Sequence, residues 1–177
     1  MNVICFGDSN TYGYDPQSYF GGRYEADSRW VDIVAEKTGW TICNMGQNGR
    51  EIPTSAPPLP ADTDLLIVML GTNDLLQGRS PEQAAGRLER FLSGISLERN
   101  KILLIAPPPV TLGEWVPGQQ LIDDSRAFAG LCQALAERLG IRFADAGKWD
   151  IPLAYDGVHF TEQGHRAFAA GLLEELR

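Results

Sequence analysis

Histidine is scarce in this sequence: 177 residues carry only two, His159 and His165, so imidazole chemistry has two candidates. Cysteine is scarce too. Cys5, Cys43 and Cys132 are odd in number and form no CxxC pair, which argues against a disulfide framework and a cysteine zinc site. Their apolar neighbours predict buried thiols in a reducing compartment. Basic residues are outnumbered, Lys+Arg 15 against Asp+Glu 23, for a net charge of −8 with no Lys/Arg cluster. A nucleic acid or an anionic membrane would need such a patch, so neither is an expected partner. No apolar run approaches the roughly 18 residues of a membrane-spanning helix, and the N-terminus lacks the charged start and cleavage site of a signal peptide. The expectation is a soluble, cytoplasmic protein. Internal repeats and low-complexity tracts are also missing.

What is present is an ordinary globular composition, 44% hydrophobic and 21% charged. At roughly 150 residues per domain, the length predicts one domain over residues 1–177. Short β-rich runs at Val3–Phe6, Trp40–Cys43, Leu65–Leu70, Ile102–Ala106 and Ile141–Ala144 are bounded by Gly, Asp, Asn or Pro. They read as buried parallel strands. Between them lie amphipathic stretches at Ser28–Thr38, Pro81–Gly94, Leu121–Leu139 and Thr161–Leu176. Ser80 followed by Pro81 marks a helix start, and Gly39 and Gly140 sit where helices end. Alternating strand and helix predicts an α/β protein: a flavodoxin-like three-layer α/β/α sandwich around a five-stranded parallel sheet. In such a sheet the ligand site lies at the carboxyl ends of the strands.

The polar residues gather after those ends. Gly7-Asp8-Ser9-Asn10 follows the first strand, Asn44 to Arg50 the second, Gly71-Thr72-Asn73-Asp74 the third, and Asp156-Gly157-Val158-His159 precedes the last helix. Ser9, in a turn after a buried strand, is a candidate nucleophile whose own N–H can face an oxyanion. His159, three residues after Asp156, is a candidate base with a carboxylate to orient it. Asn73 and Gly49 offer an amide and an unobstructed backbone N–H as further oxyanion donors. Each has a blander reading as a cap or turn residue when taken alone. His165, inside the final helical pattern, reads as a packing histidine, and Asp8 as a structural carboxylate of the turn. Tyr12, Tyr14 and Trp115 are candidate substrate-binding walls.

These blocks resemble those of the SGNH (GDSL-type) hydrolases. Gly7-Asp8-Ser9, Gly49, Gly71-Thr72-Asn73-Asp74 and Asp156-Gly157-Val158-His159 fall in the family's order from residue 7 to 159. Thr11-Tyr12-Gly13-Tyr14, Ser28-Arg29-Trp30, Ala106 to Pro109 and Gly157 to Glu162 are similar to the arylesterase and acyltransferase-like branch. The resemblance implies a serine esterase with no metal or cofactor, acting on a small-molecule ester. It also implies acyl transfer to alcohols in some members and a homo-oligomer in others. Asn10 stands where many relatives carry Leu, a difference expected to touch local packing only. The segment Arg50–Thr63, with four prolines, is shorter than in some members of that branch and predicts a shallow acyl pocket. Two other readings compete. One is a carbohydrate O-acetyl esterase of the same superfamily. The other is a phospho-receiver domain using Asp8, Asp74 and Lys148, which leaves His159 and Asn73 without a role.

Overall fold

A computed structural model describes all of residues 1–177. The chain runs β1 (Asn2–Gly7), α1 (Ser9–Tyr12), α2 (Trp30–Thr38), β2 (Thr41–Gly46), β3 (Leu65–Met69), α3 (Thr72–Leu76), α4 (Pro81–Ser93), β4 (Ile102–Ala106), α5 (Gln119–Leu139), β5 (Arg142–Asp145) and α6 (Glu162–Glu175). All five strands are parallel, in the order β2-β1-β3-β4-β5. That is the flavodoxin-like order, and the direction in which successive strands are added to the sheet reverses between β1 and β3.

Alternation along the strands builds two apolar layers. Ile4, Phe6, Leu66, Val68 and Leu104 face α4 and α5, where they meet Leu88, Phe91, Phe128 and Leu135. Val3, Cys5, Ile67, Met69 and Ile105 face α2 and α6, where they meet Trp30, Val34, Phe168 and Leu172. Burying a Leu, Ile or Phe contributes about 1.5–3 kcal/mol, so both faces of the central strands hold the helices.

The helix ends follow their sequence signals. Ser80 and Gln83 close a reciprocal capping box at the start of α4, with Pro81 in its first turn. Gly39 and Gly140 end α2 and α5 in the left-handed region, at φ 70° and 65°. Three features depart from expectation. β2 extends through Asn44, Met45 and Gly46, which read as loop, because each pairs in parallel register with β1. α1 and α3 are four and five residues long, too short to show a period. Cys43 is exposed rather than buried, since it lies on the edge strand β2 where α4 and α5 do not reach; Cys5 and Cys132 are buried.

Candidate active site

Ser9 opens α1 directly beyond the end of β1. A Cβ on Gly7 would lie 2.1 Å from Thr11 Oγ1, and one on Gly46 would lie 2.1 Å from the Tyr12 backbone nitrogen. Only glycine lets the short helix lie so close across the ends of β1 and β2. Asp8 caps that helix, its Oδ1 accepting the Asn10 N–H at 3.0 Å. Burial pushes the Asp8 carboxyl up to about 6, against the Asn10 N–H and the His159 and Arg50 charges that favour its ionised form.

The loop ahead of α6 closes on itself around a carboxylate. Asp156 Oδ1 accepts the N–H groups of Val158 and His159, both at 2.9 Å. Its Oδ2 lies 2.6 Å from His159 Nδ1. Burial acts to raise the Asp156 pKa, but the bonds from the His159 ring and the two backbone N–H groups outweigh it and hold the carboxyl below its ordinary range. A carboxylate only accepts, so it selects the tautomer with the proton on Nδ1. Nε2 then presents its lone pair to Ser9 Oγ, 3.0 Å away.

Two amide donors face the same space. Asn73, from α3 at the end of β3, donates through Nδ2 to the Arg50 carbonyl at 3.1 Å, with Asp8 Oδ2 at 3.5 Å. Arg50 is itself tied down: its guanidinium lies 4.3 Å over the Phe6 ring and donates to the carbonyls of Gly7 and Met45. Gly49, at φ 70°, has open space where a side chain would project. The resulting cleft, about 190 Å³, is lined by Ser9, Asn48, Gly49, Asn73 and His159 and by the rings of Tyr14 and Trp115. Both rings lie against the imidazole, with centroids at 4.6 and 4.9 Å. Trp115 arrives there because its loop pairs with the histidine loop: Thr111, Glu114 and Trp115 donate their N–H groups to the carbonyls of Gly157, Tyr155 and Asp156. A wider groove of about 380 Å³ between α2 and α6 holds no serine, cysteine or histidine.

Residues 5–167 match the sequence pattern of the GDSL-like lipase/acylhydrolase family. The chain belongs to that family. The acylhydrolase resembles solved structures over nearly its whole length. An aryl esterase of Mycobacterium smegmatis is 27% identical, with 99% of this chain and 98% of that one aligned at a TM-score of 0.81. A carbohydrate acetylesterase family member from Sinorhizobium meliloti is 25% identical, with 99% and 97% coverage and a TM-score of 0.81. A lipolytic G-D-S-L family protein from Veillonella parvula is also 25% identical, with 98% and 97% coverage and a TM-score of 0.74. A search of curated proteins finds no match.

Of the residues singled out in the acylhydrolase sequence, Ser9, Gly49, Asn73, His159, Tyr14 and Trp115 meet in one cleft, with Asp156 directly behind the imidazole. Tyr12 is a correction: it does not line the cleft, and its ring lies 4.4 Å under the Arg23 guanidinium instead. Tyr12 is the last residue of the four-residue helix, and Gly13 turns the chain at φ 91° before Tyr14. His165 is fully buried in α6, as a packing histidine should be. The receiver constellation does not assemble. Asp74 is turned to the Ile52 N–H and to Arg87, at 2.8 and 3.0 Å, and Lys148 pairs at the surface with Asp145. The sequence reading missed Asn48 as a lining residue and Arg50 as the latch of the Asn73 loop. An arginine just after a Gly-rich turn in an acidic chain was the available signal for the latch.

Proposed function

We propose that the acylhydrolase is a serine esterase that cleaves short-chain acyl esters through an acyl-enzyme. The observation that carries this reading is the unbroken hydrogen-bonded line from Ser9 Oγ through the His159 ring to Asp156, at 3.0 and 2.6 Å. In this reading His159 Nε2 takes the hydroxyl proton as Ser9 Oγ attacks the ester carbonyl carbon. The imidazolium so formed is stabilised by Asp156. The carbonyl oxygen, now negative, is received by the N–H groups of Ser9 and Gly49 and by the Asn73 amide. The bond to the leaving oxygen then breaks, and His159 returns the proton to it. Water, deprotonated by the same nitrogen, attacks the acyl-serine and releases the acid. An alcohol in place of water would give acyl transfer.

Hydrolysis of aryl and alkyl esters is the first reading. An O-acetylated carbohydrate is the second, favoured by the full-length likeness to the Sinorhizobium meliloti protein and by Trp115, half exposed beside the imidazole, where a sugar ring can stack. Acetate release from acetylated sugars, compared with turnover of aryl acetates, separates the two. The mechanism itself is tested by Ser9→Ala and by a serine-directed organophosphorus reagent. The parent protein should label at Ser9 alone, and Ser9→Ala should fold normally with kcat at least about a thousandfold lower. An active Ser9→Ala, or a label on another serine, refutes it.

A further inference from the structure

The residue after the serine does more than pack. Asn10 is buried, and both ends of its side-chain amide cross to the histidine loop. Nδ2 donates to the Val158 carbonyl at 3.1 Å, and Oδ1 accepts the Phe160 N–H at 2.9 Å. These are the backbone groups immediately before and after His159. The Asn10 backbone is fixed in turn: its N–H donates to Asp8 Oδ1 at 3.0 Å, and its carbonyl accepts the Trp30 indole N–H at 3.0 Å.

We propose that Asn10 is a positioning residue that holds His159 at working distance from Ser9. The proposal rests on the esterase reading above. Two junctions build the triad, and they differ in kind. Asp156 and His159 are three residues apart in one loop that Asp156 closes by itself, so that junction needs no outside support. Ser9 and His159 are 150 residues apart. Besides the Ser9–His159 contact itself, the two hydrogen bonds from the chain neighbour of Ser9 to those of His159 tie these segments together. A hydrogen bond at 3.0 Å is lost within about half an ångström of stretch, so small slack between the segments is enough to uncouple nucleophile from base. Leucine would fill the space of Asn10 but pair neither backbone group, and the loop would drift toward whatever satisfied them.

The test compares Asn10→Leu with Asn10→Asp, which keeps the acceptor for the Phe160 N–H and loses the donor to Val158. In Asn10→Leu, kcat for an aryl acetate should fall about 10- to 100-fold with KM within about twofold. Organophosphorus labelling of Ser9 should slow by a similar factor. The far-downfield proton resonance of His159 Nδ1–H should persist, because its bond to Asp156 is local. Asn10→Asp should fall between Asn10→Leu and the parent, and it carries the same three readouts if Asn10→Leu does not fold. Parental kcat in both variants, or loss of the downfield proton together with activity, overturns the proposal. An inactive Ser9→Ala beside fully active Asn10 variants overturns this inference alone, whereas an active Ser9→Ala removes the esterase reading beneath it.

Discussion

His165→Leu should change how stability responds to acid, and the size of the change follows from its surroundings. The ring is fully buried in α6; Nδ1 accepts the Trp30 N–H at 3.4 Å, and Nε2 has no partner. Tyr24 and Phe160 meet it edge-on at 5.4 and 5.3 Å. Burial, helped by the Arg29 and His159 charges, pushes the imidazole down to about 3 from an ordinary 6.5. The folded chain therefore refuses a proton that the unfolded chain accepts. The stability this group contributes is complete above about pH 6.5 and is lost as pH falls toward 3. Between pH 7 and 5 the loss is about 2 kcal/mol. Asp8 works the other way. Its carboxyl, raised to about 6 when folded, takes up a proton before the unfolded chain does. Its contribution is full below about pH 4 and lost as pH rises through 6, which gives back about 1 kcal/mol between pH 7 and 5. These two groups alone should thus cost the parent only about 1 kcal/mol over that interval. Without the histidine, Asp8 dominates the pair, and His165→Leu should gain about 1 kcal/mol from them. The Trp30 N–H loses its acceptor in the variant, but equally at both pH values, so that cost cancels. Urea unfolding of both proteins at pH 7 and 5, at constant ionic strength, measures the difference. Equal pH responses in parent and variant would refute the argument.

If Asn73 is an oxyanion donor as proposed, Asn73→Ala should lower kcat by about 10²- to 10³-fold with little change in KM; a drop below about threefold removes Asn73 from that role. Arg87→Ala should cost about 3–5 kcal/mol in urea unfolding, because Asp74 is wholly buried with Arg87 at 3.0 Å and would be left charged without its closest cationic partner. Adding Asp74→Asn should recover part of that loss, and a fully additive double variant would show that the pair is not coupled. Acetyl to butyryl p-nitrophenyl esters should be hydrolysed well, and chains beyond about eight carbons poorly. Each buried CH₂ is worth about 0.8 kcal/mol only where a channel receives it, and the cleft is about 190 Å³. A kcat/KM that climbs steadily to the decanoate would contradict this.

Much of this architecture is legible in the sequence. Ile102–Ala106 is strand β4 residue for residue, because a strand buried on both faces is a continuous apolar run between breakers. Ser80-Pro81 starts α4 for a reason that is local to the turn. Ser9, Asn73 and His159 could be placed together because the parallel sheet puts the end of every strand on one edge. What stayed hidden depends on contacts across the chain. Trp115 reaches the imidazole only because one loop pairs with another, and loop pairing leaves no period to read. Tyr12 and Tyr14 look equivalent until the turn at Gly13 separates them. Asn10 looks like a packing variant until its partners, 148 and 150 residues away, are known.

The strand order bears on how the molecule loses its chemistry. Ser9 hangs from β1, which is paired on both sides, whereas His159 hangs between β5, a four-residue edge strand, and α6. α6 itself is anchored at the centre, its Phe168 and Leu172 packed with Val3, Ile67 and Trp30, so the part of this arm free to open locally is the loop from β5 to α6. Such an opening carries the imidazole away and leaves the hydroxyl where it was. Rising urea should therefore silence hydrolysis before far-UV circular dichroism changes, and backbone amides of residues 158–160 should exchange with deuterium sooner than those of β1 and β3. The hydroxyl and the imidazole thus hang from parts of unequal hold, a strand at the middle of the sheet and a loop at its margin.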